Sequence, residues 1–442
     1  MRTYDKRIGF LVSYQTLIPH GGIGQFAKSF CELMDEHNVK VDIITDKAPA
    51  DTEFVKSLNV NIIYPDDSLS YAGHTNLYSH KDTFCYERMV NFRNSLAKAL
   101  SKNIYDVIIC NTYETIQVAG TMGIEDYVQV IAYTHLESQI FKDTKNPFLD
   151  STNEMMRKQL QLDGIYIGTQ SKFNQVQFDD AYHLPIPITE RGLLQEHHKP
   201  REGVLFVGRW EPGKNPELFV DLIAQTNLPA KVMTSARGAD KFENALKKIG
   251  VPYDIRVGII GQEKVDFMTS ARIAFNPSIV ESYGMAFYEQ HIQLPTVVLE
   301  NQRWTKNFDS HHFFTVNKKN MAQKVLELYN NVPDAQTWYS NGILERYRSI
   351  EKNVFHKWNE CFHKFNCKQS NNDTAKICSE TTVKYSDFTD RIGRTLIEDY
   401  LPIYANKYKF RVIYTDTDTY LTRDPSFEPN ETDNPLNLFE GI

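Results

Sequence analysis

The chain has 442 residues, 41% of them hydrophobic and 24% charged, with a formal net charge of −7. That length exceeds one ordinary core and suits two α/β domains with an appendage, and the composition excludes a disordered chain. The charge excludes a global pull toward polyanions, so a nucleic-acid partner would need a local basic cleft.

Met1 to Arg7 leads directly into Ile8-Gly9-Phe10-Leu11-Val12. That run is too short for a secretory signal core. The sequence holds no apolar stretch of the roughly eighteen residues that a membrane-spanning helix needs. A soluble, cytoplasmic protein is expected. The cysteines (Cys31, Cys85, Cys110, Cys361, Cys367, Cys378) form no Cys-x-x-Cys pair, so reduced thiols are expected rather than disulfides or zinc ligands.

Along the chain, short β-branched runs alternate with helical patterns. In the first half these runs are Ile8–Val12, Val41–Thr45, Val107–Cys110, Val128–Tyr133 and Ile165–Gly168. In the second half they are Val204–Val207, Lys231–Thr234, Tyr253–Val257, Ile273–Asn276 and Thr296–Leu299. Runs without polar alternation suit parallel strands covered on both faces. The spacing therefore predicts two Rossmann-like, doubly wound parallel sheets. Alternate prolines in Leu184-Pro185-Ile186-Pro187-Ile188 force an extended connection and mark the break. The expected units are residues 1–185, 186–345, a helix at 346–366 returning to the first domain, and a linker with an appendage over 367–442.

Three places carry chemistry. The first is the turn His20-Gly21-Gly22-Ile23-Gly24, followed by apolar residues at helical spacing through Met34. Gly22 and Gly24 let a ligand approach the backbone where a helix N-terminus favours phosphate; the plainer alternative is a glycine turn in a βα unit. The second is Val207-Gly208-Arg209-Trp210-Glu211-Pro212-Gly213-Lys214-Asn215-Pro216. Arg209 offers a planar fork and Lys214 a point charge, which together can neutralise a diphosphate leaving group without a metal. The alternative, two surface cations, is less expected at the carboxyl end of a parallel strand.

The third place is Glu281-Ser282-Tyr283-Gly284-Met285-Ala286-Phe287-Tyr288-Glu289. A helix starting near Gly284 would leave open amides for a phosphate or sugar hydroxyl. Glu289 could take both hydroxyls of a ribose, and Glu281 could contact a donor sugar. The alternative is an amphipathic helix with two solvated carboxylates. A further candidate is His135, at the end of a first-domain strand, where an imidazole could bond a sugar or relay a proton. Glu137 is a weaker alternative base.

Together, and in this order, these motifs resemble retaining glycosyltransferase family 4, which has the GT-B architecture. The resemblance covers residues 8 to about 366. It implies a nucleotide-diphosphate-sugar donor, UDP-linked, and no metal or other cofactor. By likeness, Gly22, Gly24, Arg209 and Lys214 handle the diphosphate, and Glu289 the ribose. Glu281, with the backbone of Tyr283, Gly284 and Met285, holds the sugar, and His135, Glu281, Arg209 and Lys214 serve catalysis. One departure is His291-Ile292-Gln293-Leu294-Pro295, where the family usually has small residues and glycine before the proline.

Within the family, Ala132-Tyr133-Thr134-His135, Val207-Gly208-Arg209 and the stretch from Lys231-Val232-Met233 through Gly250-Val251-Pro252-Tyr253 are similar to the DNA α-glucosyltransferases of T-even bacteriophages. That likeness implies a hydroxymethylated pyrimidine in double-stranded DNA as acceptor and the host cytoplasm as location. An acidic residue beside the matching histidine there is Leu136 here. A glycan or small-molecule acceptor, a phosphorylase-like or epimerase-like relative, and a non-catalytic DNA-binding module with a degenerate donor site remain open.

Beyond residue 380, Phe410-Arg411-Val412-Ile413-Tyr414-Thr415-Asp416-Thr417-Asp418 resembles the palm carboxylate motif of family B DNA polymerases. Two such aspartates can hold magnesium. The same Asp-x-Asp is similar to the metal motif of GT-A glycosyltransferases. The segment is too short for either fold, and an acidic turn in a non-catalytic appendage is expected.

Overall fold

Every β-branched run singled out above becomes a strand of a parallel sheet in the computed structural model. The structure describes residues 5–19, 21–68, 86–111, 113–122, 124, 128–135, 165–169, 182–279, 281, 283–308, 313–331, 342–363, 410–414 and 419–423. The first sheet comprises β1 (Lys6–Leu11), β2 (Val39–Ile44), β3 (Asn61–Ile63), β4 (Val107–Cys110), β5 (Gln129–Thr134), β6 (Ile165–Thr169) and β7 (Tyr182–His183). Its order is β3-β2-β1-β4-β5-β6-β7, and all pairs are parallel. Helices α1 (Gly22–Glu36), α2 (Glu53–Ser57), α3 (Tyr86–Lys102) and α4 (Tyr113–Met122) intervene.

The pleat sends successive residues to opposite faces. Ile8, Phe10, Val41, Ile43, Ile109 and Tyr133 therefore share one core with Phe26, Phe30 and Met34 of α1. On the other face, α3 packs on β2 and β3, and α4 packs on β4 and β5. Phe10, Phe26 and Phe30 form a ring cluster with centroids 5.4–5.8 Å apart.

The second sheet repeats the winding with β8 (Val204–Val207), β9 (Ala230–Thr234), β10 (Tyr253–Val257), β11 (Ile273–Asn276), β12 (Thr296–Leu299) and β13 (Phe314–Val316). Its order is β10-β9-β8-β11-β12-β13, again all parallel. Val204 and Phe206 face a core built with α5 (Pro216–Thr226), α6 (Ala236–Ile249) and α9 (Met321–Asn331). Leu205 faces the opposite core, with α7 (Gly261–Thr269), α8 (Met285–Gln293) and the first turns of α10 (Ile343–His363). Both sheets thus reverse strand order at one point, between β1 and β4 and between β8 and β11. Ligands of such folds bind at the carboxyl ends beside that point.

Two segments join the halves. Leu184, Ile186 and Ile188 are buried along the alternating prolines, so the connection is a packed strap. The long helix α10 starts against α8 and ends in the first core, where Trp358 is fully buried against Phe30 and donates from Nε1 to Pro185 O at 2.9 Å. Gln129 Nε2 donates to Cys361 O at 3.3 Å, closing the same contact.

Three strands of the parallel sheets had no mark in the sequence reading: β3, β7 and β13. They are two or three residues long, and β3, β7 and β13 each lie at a sheet edge. An edge strand needs few apolar residues because one side lacks a partner. Phe410–Tyr414 and Thr419–Arg423 form an antiparallel pair. Asp416 and Asp418, between them, lie outside the described residues, as do His20, Glu137 and Ser282. Among the described residues no helix is long and apolar enough to cross a membrane.

Candidate active site

The loop after β8 and the loop after β11 flank the switch point of the second sheet, and the sequence ties them together. Ile279 N donates to Gly213 O at 2.9 Å, and Asn215 Nδ2 donates to Pro277 O at 3.4 Å. Between these bonds Lys214 Nζ pairs with Glu281 Oε1 at 2.5 Å. Glu281 is nearly buried and Lys214 partly so, hence the pair is held in a poorly solvated place. Asn215 adopts φ +52° and Pro216 opens α5, which fixes where Lys214 emerges.

Arg209 follows β8 directly. Its Nη1 lies 2.9 Å from Glu211 Oε1, and both side chains are about a third exposed. Arg209 lines a cleft with Gly208, Thr234, Ser235 and Lys264 from the second domain and Pro19 from the loop after β1. The cleft thus takes walls from both halves of the chain. Thr234 Oγ1 is buried there and has no hydrogen-bond partner among the described residues.

Helix α8 begins one residue later than expected, with Gly284 as its N-cap at φ +89°. A side chain at 284 would be strained there, and its Cβ would sit 3.1 Å from the Trp304 ring. Glycine is therefore required twice over. Flanking it, Tyr283 and Met285 pack against the first-domain core, as does Ile23 of α1. The turn at 22–24 and the 281–289 box thus pack on the same first-domain core.

Glu289 is buried on α8. Lys264 Nζ lies 2.6 Å from its Oε1, and Thr189 Oγ1 donates to that same oxygen. Burial pushes the Glu289 carboxyl above its ordinary range, while the Lys264 ammonium works against that shift. Burial likewise pushes the phenols of Tyr133, Tyr283 and Tyr288 upward, so all three are neutral hydrogen-bonding groups.

In the first domain, Gly22 and Gly24 fall in the first turn of α1. A Cβ at Gly24 would lie 2.6 Å from Ile18 O and closer still to Thr16 O, so glycine there serves close packing of the chain on itself. A Cβ at Gly22 would meet nothing within 4 Å. His135 follows β5. Its Nε2 donates to Asn111 Oδ1 at 2.5 Å, and its ring stands edge-on to Phe26 and Tyr133. Asn111 sits at the carboxyl end of β4, beside the first switch point. Its Nδ2 is buried without a hydrogen-bond partner among the described residues.

Lys264 and Asn111 were not singled out in the sequence. Lys264 stands four residues before Met268 and next to Val265, which places it on the buried stripe of α7. That spacing was the available signal. Asn111 follows an unbroken apolar strand at its ligand-facing end, a weaker one. The departure at His291–Pro295 also has a structural use. Gln293 Nε2 donates to Leu193 O and Gln195 O, and Gln293 O accepts from Arg201 Nη1, so the larger residue anchors the segment preceding β8.

No protein-family model matches the sequence, and no curated protein matches it. Solved structures do. Sucrose-phosphate synthase from Thermosynechococcus elongatus superposes with a TM-score of 0.60 at 14% identity, covering 81% of this chain and 99% of that one. Anabaena HepE, in complex with UDP and glucose, gives 0.58 at 13% identity, covering 80% and 100%. TarM of S. aureus, in complex with Fondaparinux, alpha-GlcNAc-glycerol and UDP, gives 0.60 at 12% identity, covering 81% and 100%. The two wound sheets, the interdomain cleft and these likenesses define the GT-B architecture.

Proposed function

We propose that the chain is a retaining glycosyltransferase that moves a sugar from a nucleotide-diphosphate sugar, UDP-linked, to a hydroxymethylated pyrimidine in double-stranded DNA. The observation that carries the transferase reading is the constellation at the second switch point. There Arg209 lines the interdomain cleft, and the Lys214–Glu281 pair bridges the loops after β8 and β11. HepE and TarM, whose structures hold UDP, share the architecture and support the donor class. The acceptor rests on the likeness around His135 and residues 231–253. A host-cytoplasm location follows from that acceptor.

In this reading the acceptor hydroxyl oxygen bonds the anomeric carbon on the face from which the diphosphate leaves. The carbon–oxygen bond to phosphate breaks, and the departing phosphate oxygen takes the acceptor's proton. No metal or dedicated base is required. Arg209 and Lys214 stabilise the leaving charge in a site from which domain closure excludes water. Release of Lys214 from Glu281 would supply both a cation for phosphate and a carboxylate for sugar hydroxyls.

The test is a mass-spectrometric screen of nucleotide sugars against hydroxymethylcytosine duplex and simple glycans, repeated from roughly 50 to 200 mM salt. Transfer to the duplex should fall steeply across that range, because counterions compete for the DNA phosphates. A rate on DNA that is flat with salt, or transfer to free saccharides alone, would overturn the acceptor and leave the transferase. Nucleotide binding with no turnover on any acceptor would leave only a binding module.

A further inference from the structure

Asn111 is held by two hydrogen bonds and is short of a third. Its backbone N donates to Leu11 O at 3.1 Å, continuing the β1–β4 register by one residue. Its Oδ1 accepts from His135 Nε2 at 2.5 Å. The His135 ring is fixed in turn by standing edge-on to Tyr133, whose hydroxyl donates to Leu184 O at 2.9 Å. Asn111 is 1% exposed, yet its Nδ2 meets no acceptor among the described residues. Burying such a donor without a partner costs about 1–3 kcal/mol, so an amide kept at the carboxyl end of β4 asks for a partner from outside the chain.

The polarity of that partner is decided by His135. The carbonyl half of the amide is committed to Nε2–H, and the half left over can only donate. We infer that Asn111 Nδ2 donates to the oxygen of the acceptor's reacting hydroxyl, which makes Asn111 a catalytic residue as well as the support of the His135 ring. This inference rests on the glycosyltransferase reading above. A hydroxyl held by a donor keeps its own proton for the departing phosphate oxygen, whereas a carboxylate or carbonyl at that place would compete for it. One lone pair of the hydroxyl oxygen then meets Nδ2–H, and the other is left to bond the anomeric carbon. The cations for the diphosphate, Arg209 and Lys214, follow a strand of the other sheet, so placing the nucleophile falls to this one.

The experiment is a double-mutant cycle on the full chain, with wild type, Asn111→Leu, His135→Phe and the two combined. The donor is whichever of UDP-glucose, UDP-galactose and UDP-N-acetylglucosamine is consumed. The acceptor is hydroxymethylcytosine duplex, or maltose if only saccharides take sugar. The readout is acceptor KM, with acceptor Kd on the UDP complex wherever turnover is too low. Asn111→Leu should raise that value several-fold, up to about tenfold, the net worth of one hydrogen bond, and leave donor KM unchanged. The same rise should appear when Asn111→Leu is added to His135→Phe, because the amide acts on the hydroxyl without passing through the imidazole. Asn111→Ala repeats the comparison if the leucine variant fails to fold. An acceptor value unchanged by Asn111→Leu, or changed only while His135 is present, overturns the inference and leaves Asn111 as the support of the ring. A rise in donor KM alone would put the amide on the donor sugar and likewise overturns it. No transfer from any of the three donors to either acceptor overturns the inference together with the transferase reading.

Discussion

The two sheets present, at their carboxyl ends, walls built from the same winding and equipped differently. At the carboxyl ends of the second sheet stand Arg209, Lys214 and Lys264, each already set against a carboxylate: Glu211, Glu281 and Glu289. At the carboxyl ends of the first sheet stand Asn111 and His135, hydrogen-bonded to each other and framed by the Phe26 and Tyr133 rings. One wall stores charge in pairs; the other orients an amide and an imidazole. A diphosphate leaving group needs the first kind, since its charge rises as the bond breaks. A hydroxyl nucleophile needs the second kind, since it must be placed and relieved of one proton.

The largest effect should come from the charged wall. Arg209→Ala is expected to lower turnover about a hundredfold or more, the roughly 2.7–4 kcal/mol of lost transition-state charge stabilisation. Nucleoside diphosphate affinity should weaken less. Steady-state rates beside calorimetric titrations check this split, and turnover at the wild-type level would remove Arg209 from the site.

The wall of Asn111 and His135 should answer more mildly. Asn111→Leu removes the acceptor that fixes the His135 ring and is expected to lower turnover several-fold, up to about tenfold, which is the net worth of one hydrogen bond. Nucleoside diphosphate affinity should not change, because Arg209, Lys214 and Lys264 keep their partners. A variant that instead loses nucleotide binding would show that the walls do not divide the work.

The contrast between the walls was only partly legible in the sequence. Wherever backbone and burial dictate residue type, it read clearly. Val204–Val207, Ile273–Asn276 and Thr296–Leu299 are almost wholly apolar because both faces are covered, and they fold at the stated bounds. Gly284 had to be glycine for its left-handed φ, and it caps the helix expected to start near it. What did not read was partnership. Arg209, Lys214 and Glu281 were recognisable as charges, yet nothing in their spacing says that Lys214 meets Glu281 across 67 positions. Lys264 was not singled out in Gly261-Gln262-Glu263-Lys264, because a single buried lysine on an apolar stripe differs little in sequence from an exposed one. Edge strands such as Asn61–Ile63 escaped because a half-paired strand imposes little pattern. Side chains that meet through the fold are set by topology, and topology is not local.

The division of work between the walls is tested most directly by donor hydrolysis in water, with no acceptor present. Release of nucleoside diphosphate from the nucleotide sugar would be timed for the wild type, Arg209→Ala and Asn111→Leu. The slow hydrolysis should persist at the wild-type rate in Asn111→Leu and drop about a hundredfold in Arg209→Ala, since only leaving-group departure is then measured. Equal losses in both variants, or a loss confined to Asn111→Leu, would contradict it.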